Sequence, residues 1–286
     1  MSGARPGRAS MRRQALVLRI FAYAMLAIAW VIFVFPLLWV LGLSFKTRAQ
    51  VFANPPLWLW TPTLENYARV LQGADFLGAF VNSTLISGGA VGLSLAIGVP
   101  AAYAFARFPF PGRNFLFFAL LVMRMLPPIA VLVPMFVLFS KAGIGGTHLS
   151  VILAYTTFAL PLVVWILRGY FEEMPRELEE SAWVDGASRA AAFRLIVLPL
   201  VRPGIVAATI LALLLAWNDF LFAAVLTSSS TRTLPVLVAG YSGADTGIDW
   251  GPITASAVMV VLPVILFAFF AQRHLVAGLS SGAVKG

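Results

Sequence analysis

The sequence predicts an all-α polytopic membrane protein with six transmembrane helices, and three observations predict it. Of 286 residues, 60% are hydrophobic and 11% charged, with a mean hydropathy of +0.92; soluble domains carry about 25% charged residues. Six stretches are long enough to cross a bilayer core about 30 Å thick, which takes about 20 helical residues. The cationic residues sit at the ends of those stretches rather than in one patch. The net charge of +9 therefore reads as a device of membrane topology and not as a nucleic-acid surface. The chain has no cysteine, which excludes disulfides and thiolate metal sites.

In chain order the spans fall at Ile20–Leu43, Gly78–Phe105, Phe115–Ser140, Ser150–Leu167, Gly204–Leu226 and Pro252–Ala271. The first run exceeds the about 7–15 apolar residues of a signal peptide, so it is read as a retained span. The organisation is then a basic N-terminus, first span and first outer loop (1–77), a five-span core (78–271) and a short tail (272–286). With the N-terminus inside, 14 of the 20 Lys and Arg lie on the cytoplasmic side, five lie outside, and Arg124 lies within a span. This distribution predicts cytoplasmic termini and a cytoplasmic loop at 170–203.

Within that loop the stretch Glu177–Leu200 carries four carboxylates in a chain with few. Pro175 suits a first helical turn, and Glu177, Glu179 and Glu180 suit the positive end of a helix dipole. Gly186 stands where a left-handed C-terminal cap is expected, so it is predicted to take a positive φ. Ser188 can N-cap a second helix running toward Pro199. The first helix, at about ten residues, is marginal on its own. Leu178, Ala182 and Asp185 share a face, and Trp183 and Val184 widen its apolar side. The hairpin either packs on its own membrane domain or docks into another protein.

Other features are read from the residues alone. No Gly-x4-Gly-Lys-Ser/Thr run is present, so the chain has no phosphate-cradling loop of its own. His148 and His274 lie at opposite ends of spans without further ligands at helical spacing, and no metal site is expected. No Gly-x-Ser-x-Gly and no carboxylate pair within the spans supports an intramembrane enzyme. Gly88 and Gly92 form a small-residue face expected to pack a neighbouring helix. Pro100, Pro127, Pro128, Pro134, Pro161 and Pro263 interrupt spans, and each removes a backbone hydrogen bond. Arg124, before Pro127 and Pro128, is expected to face the protein interior, because a central arginine costs about 2.5–3.5 kcal/mol on insertion scales. A difference in depth of roughly 10 Å argues against an Arg124–Asp219 pair and favours carbonyls freed by the two prolines as acceptors. Trp217, Asn218 and Asp219 combine an aromatic face with hydrogen-bonding groups, as a sugar requires.

The run "ESAWVDG", nine residues, then "IVLP" resembles the cytoplasmic loop signature of ABC-importer permeases. Glu180, Ala182, Gly186, Ile196, Leu198 and Pro199 match its positions, with Ser181 replacing an alanine. "SFKTRAQVFANPPLWLW", "LENYARVL", "NSTLISGG", "AYAFARFPFPGR", "RMLPPIAVLVPMF" and "LAWNDFLFA" resemble the carbohydrate-uptake branch, specifically the second permease of maltose- and trehalose-type transporters. The resemblance implies a type I ABC-importer permease fold in a bacterial inner membrane. It also implies a coupling helix seated on an ATP-hydrolysing subunit through Glu180, Ala182, Asp185 and Gly186. The implied partners are a second homologous permease, two ABC ATPase subunits holding ATP and Mg, and an extracytoplasmic sugar-binding protein. Arg124, Pro127, Pro128, Trp217, Asn218 and Asp219 are the expected pathway residues. The rival readings are the same scaffold carrying another solute, such as glycerol phosphate or a polyol, and a secondary transporter. The secondary transporter would need intramembrane acids and a repeat of spans; Asp219 is the only acid within a span.

Overall fold

The computed structural model describes the backbone of residues 8–73, 75–243 and 247–282, and side chains over 16–72, 75–241 and 248–269. Its helices are α1 (Arg8–Ser44), α2 (Arg48–Val51), α3 (Glu65–Gly73), α4 (Phe76–Arg107), α5 (Arg113–Met123), α6 (Pro128–Lys141), α7 (His148–Glu173), α8 (Glu177–Val184) and α9 (Arg189–Ala192). A π-helical turn, Phe193–Val197, leads into α10 (Leu198–Asn218), followed by α11 (Leu221–Leu226), α12 (Leu234–Gly240) and α13 (Trp250–Gly282). Five of these helices are long and apolar enough to cross a membrane, and α5 with α6 makes a sixth crossing if the bent pair is one span. The all-α, six-span class expected from composition is what the chain forms.

Three spans differ from their sequence reading. The third is not continuous over Phe115–Ser140: it breaks between α5 and α6, which meet at 94°. Pro127 and Pro128 explain the break, since a proline ring disfavours helix in the residue before it and removes a donor. The fifth is shifted. The helix runs unbroken from Arg189 to Asn218 and stops at Asp219, short of Leu226. The second helix of the loop hairpin is therefore the beginning of this span. Its passage through Pro199 uses the π turn, where the Leu198 N–H reaches back to the Phe193 carbonyl. The wider turn spares the Leu195 carbonyl a clash with the Pro199 ring. The last helix continues past Ala271 to Gly282; the side chain of His274 lies outside the described residues.

The chain divides into two compact units, one of residues 1–70 with 248–258, the other of residues 71–247 with 259–286. In the first, buried Asn66 donates to the carbonyls of Ser44 and Lys46 (2.9 and 2.8 Å), and Tyr67 shares a hydrogen bond with Ser44. Lys46 lies 4.2 Å over the Trp60 ring and donates to the Leu57 carbonyl. These ties fix the end of α1 against α3.

The second unit is built on α4, α7 and α10. Ala102 and Ala106 of α4, Val163, Val164, Leu167 and Phe171 of α7, and Val201, Ala208 and Ala212 of α10 bury one another. The small side chains let the backbones approach, the packing that apolar helices use in lipid. The close approach on α4 is at Gly89 and Gly98, where an added Cβ would lie 2.8 Å from Ile152 and 2.7 Å from Val163. Of the small-residue face formed by Gly88 and Gly92 with Gly89, Ser87 and Ser94, the latter three turn inward, whereas Gly88 and Gly92 are exposed and meet no described atom within 4 Å. Gly89 and Gly98 lie on the face of α4 that α7 covers. A second apolar cluster joins Ile86 and Ala90 to Leu132 and Phe139 of α6, Tyr155 of α7 and Phe222 of α11.

Candidate functional site

Two places bring the sequence-predicted residues together: the hairpin between α7 and α10, and a cavity beside the α5–α6 break.

The hairpin follows local rules. Arg176 caps α8, accepting from the N–H of Glu179 and Glu180, and three glutamates occupy the first turn. Pro175 precedes the helix rather than opening it. At the other end the Gly186 N–H donates to Trp183 and the Ala187 N–H to Ala182, at 3.1 and 2.9 Å. This pair of bonds closes a helix through a left-handed residue, and Gly186 has φ +89°. Ser188 then accepts from the Ala191 N–H at 3.2 Å and starts α9. Ala182 is buried. Asp185 is exposed at the C-cap. Ile196 lies half-buried in the π turn, Leu198 is half-buried, and Pro199 is exposed.

The phase of α8 differs from the expected one. Leu178 is 42% exposed, whereas Glu179 is 2% exposed. Glu179 accepts from Arg107 Nε at 2.6 Å and from the Tyr103 hydroxyl at 2.5 Å, and Arg107 also donates to the Met174 carbonyl at 2.8 Å. Glu180 is exposed, and its carboxylate makes no hydrogen bond or ion pair among the described residues. Tyr103, Arg107 and Glu179 are functional candidates that the sequence reading missed. Arg107 counts toward topology and falls in the run "AYAFARFPFPGR" without a role of its own, and its partner lies 72 residues away. A buried acid in a charged loop has no local signature. Trp183 stays at the surface, with Arg189 5.2 Å over its ring.

The cavity, of about 240 Å3, is lined by Arg124 and Pro128 at the break, Tyr155 and Phe158 of α7, Leu215 of α10, and Asp219. Arg124 is the C-cap of α5, and Pro127 precedes α6. The break, which a straight third span would not have, brings Arg124 and Asp219 to one cavity, yet the ion pair that the depth argument disfavours does not form. The Arg124 guanidinium makes no hydrogen bond among the described residues, including to the carbonyls near Pro127 and Pro128. Asp219 lies two residues before α11, and its carboxylate accepts from the N–H of Phe222 at 3.0 Å and of Ala223 at 3.4 Å in the first turn of that helix. Tyr155 donates to the Asp219 carbonyl. Arg124, Pro128 and Asp219 thus share a wall with Tyr155, which was not foreseen.

Trp217 does not reach this cavity. It is 5% exposed, packs edge-on against Phe80 and donates to the Val260 carbonyl at 3.2 Å. Its burial corrects the reading of Trp217 as a sugar platform. Asn218 bonds back to the Leu214 carbonyl of its own helix and is not part of the cavity lining. His148 contacts Asn82 at 2.7 Å, and Asn82 holds the carbonyls of Ser230 and Arg232. This is a structural network at the end of α7.

Residues 94–281 match the family described as "Binding-protein-dependent transport system inner membrane component". The trehalose transport system permease protein SugB of Mycobacterium tuberculosis is 40% identical over 88% of this chain and 92% of its own. The trehalose/maltose transport system permease protein MalG of Thermococcus litoralis is 34% identical over 96% of this chain and 100% of its own. A solved bacterial ABC transporter involved in the import of the acidic polysaccharide alginate superposes with a TM-score of 0.76 at 21% identity. The match covers 95% of this chain and 99% of that one. The architecture is the type I fold of ABC-transporter permeases.

Proposed function

The chain belongs to the family of binding-protein-dependent transport system inner membrane components, and on that premise we propose that it is the permease subunit through which an ATP-driven importer passes a sugar, an oligo- or disaccharide, across the cytoplasmic membrane. Relatives named for trehalose and for trehalose with maltose, similar over nearly the whole chain, support the sugar. The observation that carries the rest is the hairpin. A short helix closed by Gly186 and reopened by Ser188, placed between two spans, presents an exposed acidic and apolar face on which the Glu180 and Asp185 carboxylates have no partner among the described residues. ATP and Mg belong to two partner ATPase subunits, on which this face sits with Glu180 and Asp185 as its free polar groups. A second homologous permease supplies the other half of the path, and an extracytoplasmic binding protein delivers the sugar. Both termini and the hairpin are cytoplasmic, as the cationic residues distribute.

Transport follows from a change of access. ATP-driven closure of the ATPases moves α8, and the spans that line the cavity turn it from one side of the membrane to the other. Arg124 and Asp219 offer the passing sugar donors and acceptors with spare capacity: the guanidinium has five N–H groups, and the carboxylate has lone pairs left beyond its two backbone bonds. The test is reconstitution in liposomes with the cognate permease, ATPase and binding protein, measuring uptake of labelled trehalose and maltose with and without ATP. Uptake that requires ATP and the binding protein supports the proposal. Uptake by this chain alone, driven by an ion gradient, would overturn it in favour of a secondary transporter.

A further inference from the structure

The eight residues of α8 are joined to α7 and to α9 by short non-helical links, Met174–Arg176 and Asp185–Ser188. Only Glu179 and Ala182 of α8 are buried, and Ala182 offers no more than a methyl group. Among the described residues, every hydrogen bond or ion pair that joins an α8 side chain to another helix is made by Glu179. Its partners both lie on α4. The Arg107 and Glu179 side chains are 7% and 3% exposed, and Arg107 also holds the Met174 carbonyl at the end of α7. The Tyr103 ring lies 5.5 Å from Phe171 of α7 and 4.6 Å from Phe193 of the π turn, while its hydroxyl reaches Glu179. One tyrosine and one arginine on α4 thus meet α7, α8 and the start of the fifth span.

We propose that Tyr103, Arg107 and Glu179 are the link that carries displacement of α8 into α4 and the end of α7, and that they act as positioning residues for transport. This rests on the import reading above and names the route by which its force travels. A buried ion pair is a poor device for stability alone, since apolar residues of like volume often hold a fold as well. What it adds is direction: two hydrogen bonds from two side chains fix the angle of α8 to α4, which packing against the Ala182 methyl cannot, and a third ties Arg107 to the end of α7. Without them α8 can swing on its two links while the spans stay still. With them α8, α4 and the end of α7 move as one body. Because α4 and α7 share the main apolar core and Tyr155 of α7 lines the cavity, a push at α8 arrives at the cavity wall.

The experiment uses the assembled transporter in liposomes and reads assembly, ATP hydrolysis and uptake together. Glu179→Gln is expected to assemble and to hydrolyse ATP within about twofold of the wild type, while uptake falls by about tenfold or more. Arg107→Cys with Glu179→Cys, in a chain that has no other cysteine, is expected to lose uptake likewise. Bridging the two thiols with a short bifunctional reagent should restore uptake to at least about half, because a rigid tie replaces the ionic one. Hydrolysis and uptake falling in parallel with the amount of assembled complex in Glu179→Gln would overturn the link. So would bridging that leaves uptake lost. A wild-type complex without ATP-dependent uptake would sink the import reading and the link with it, whereas a coupled wild type with parallel losses sinks the link alone.

Discussion

The two sites of this chain treat polar groups in opposite ways. At the hairpin, Arg107, Glu179 and Tyr103 are buried or half-buried and bonded to one another, and the ends of α8 and α9 are closed by Arg176, Gly186 and Ser188. At the cavity, the Arg124 guanidinium is exposed, without a hydrogen bond among the described residues, and Asp219 faces it with two backbone donors. A buried charge without a partner is costly, so the buried charges of the hairpin are paired from within the chain, while Glu180 and Asp185 stay exposed. A charge at the open wall of a cavity keeps its donors unspent. The difference separates charges that are closed off by partners from charges that are left open.

Substitutions can break or sharpen that contrast. Arg107→Ala should have the largest effect on stability, about 3–5 kcal/mol, because it leaves Glu179 buried and unpaired. Thermal unfolding of the detergent-solubilised chain should show it, and Arg107→Met with Glu179→Leu should recover most of the loss. If Arg107→Ala unfolds like the parent, Glu179 is solvated and the contrast collapses. Gly186→Val should cost about 1–3 kcal/mol from backbone strain alone, since an added Cβ meets no described atom within 4 Å. The chain should still insert, while uptake by the assembled transporter is abolished; normal coupled uptake would show that the hairpin only packs. Asp219→Ala removes a helix cap and should lower stability by about 1 kcal/mol. Arg124→Gln should leave stability within about 0.5 kcal/mol while raising the sugar concentration needed for half-maximal uptake. A large stability loss there would mean that Arg124 has a structural partner after all.

The hairpin was legible because its rules are local. An acidic first turn, a glycine where the helix stops and a serine two residues on determine a helix, a left-handed residue and a cap within twelve positions. What stayed illegible there is the phase of α8. Its apolar pattern pointed to Leu178, and only an arginine 72 residues away turns Glu179 inward. The number of spans followed from hydropathy, and so did their apolar centres except in the fifth, which starts at Arg189. The break at Arg124–Pro127 did not, because a window of about 20 residues averages across a short kink. Pro127 and Pro128 were noticed as interruptions, but two prolines do not specify a bend of 94°. Missing that bend also misplaced Arg124 relative to Asp219. Trp217 was misread for a similar reason: an indole beside polar residues suits a sugar platform, and only the packing of Phe80 and the carbonyl of Val260 shows that it is filled from behind.

One feature of α1 bears on how the subunit matures. None of the most apolar window of this span is buried within the chain, although its end is pinned through Asn66. A cylinder held at one end in lipid can tilt at little cost, since lipid tails contact every face about equally well. Its inclination is chosen when another surface packs along it. The loss of that freedom falls on the assembly step, lowering the net affinity of whatever surface takes it up.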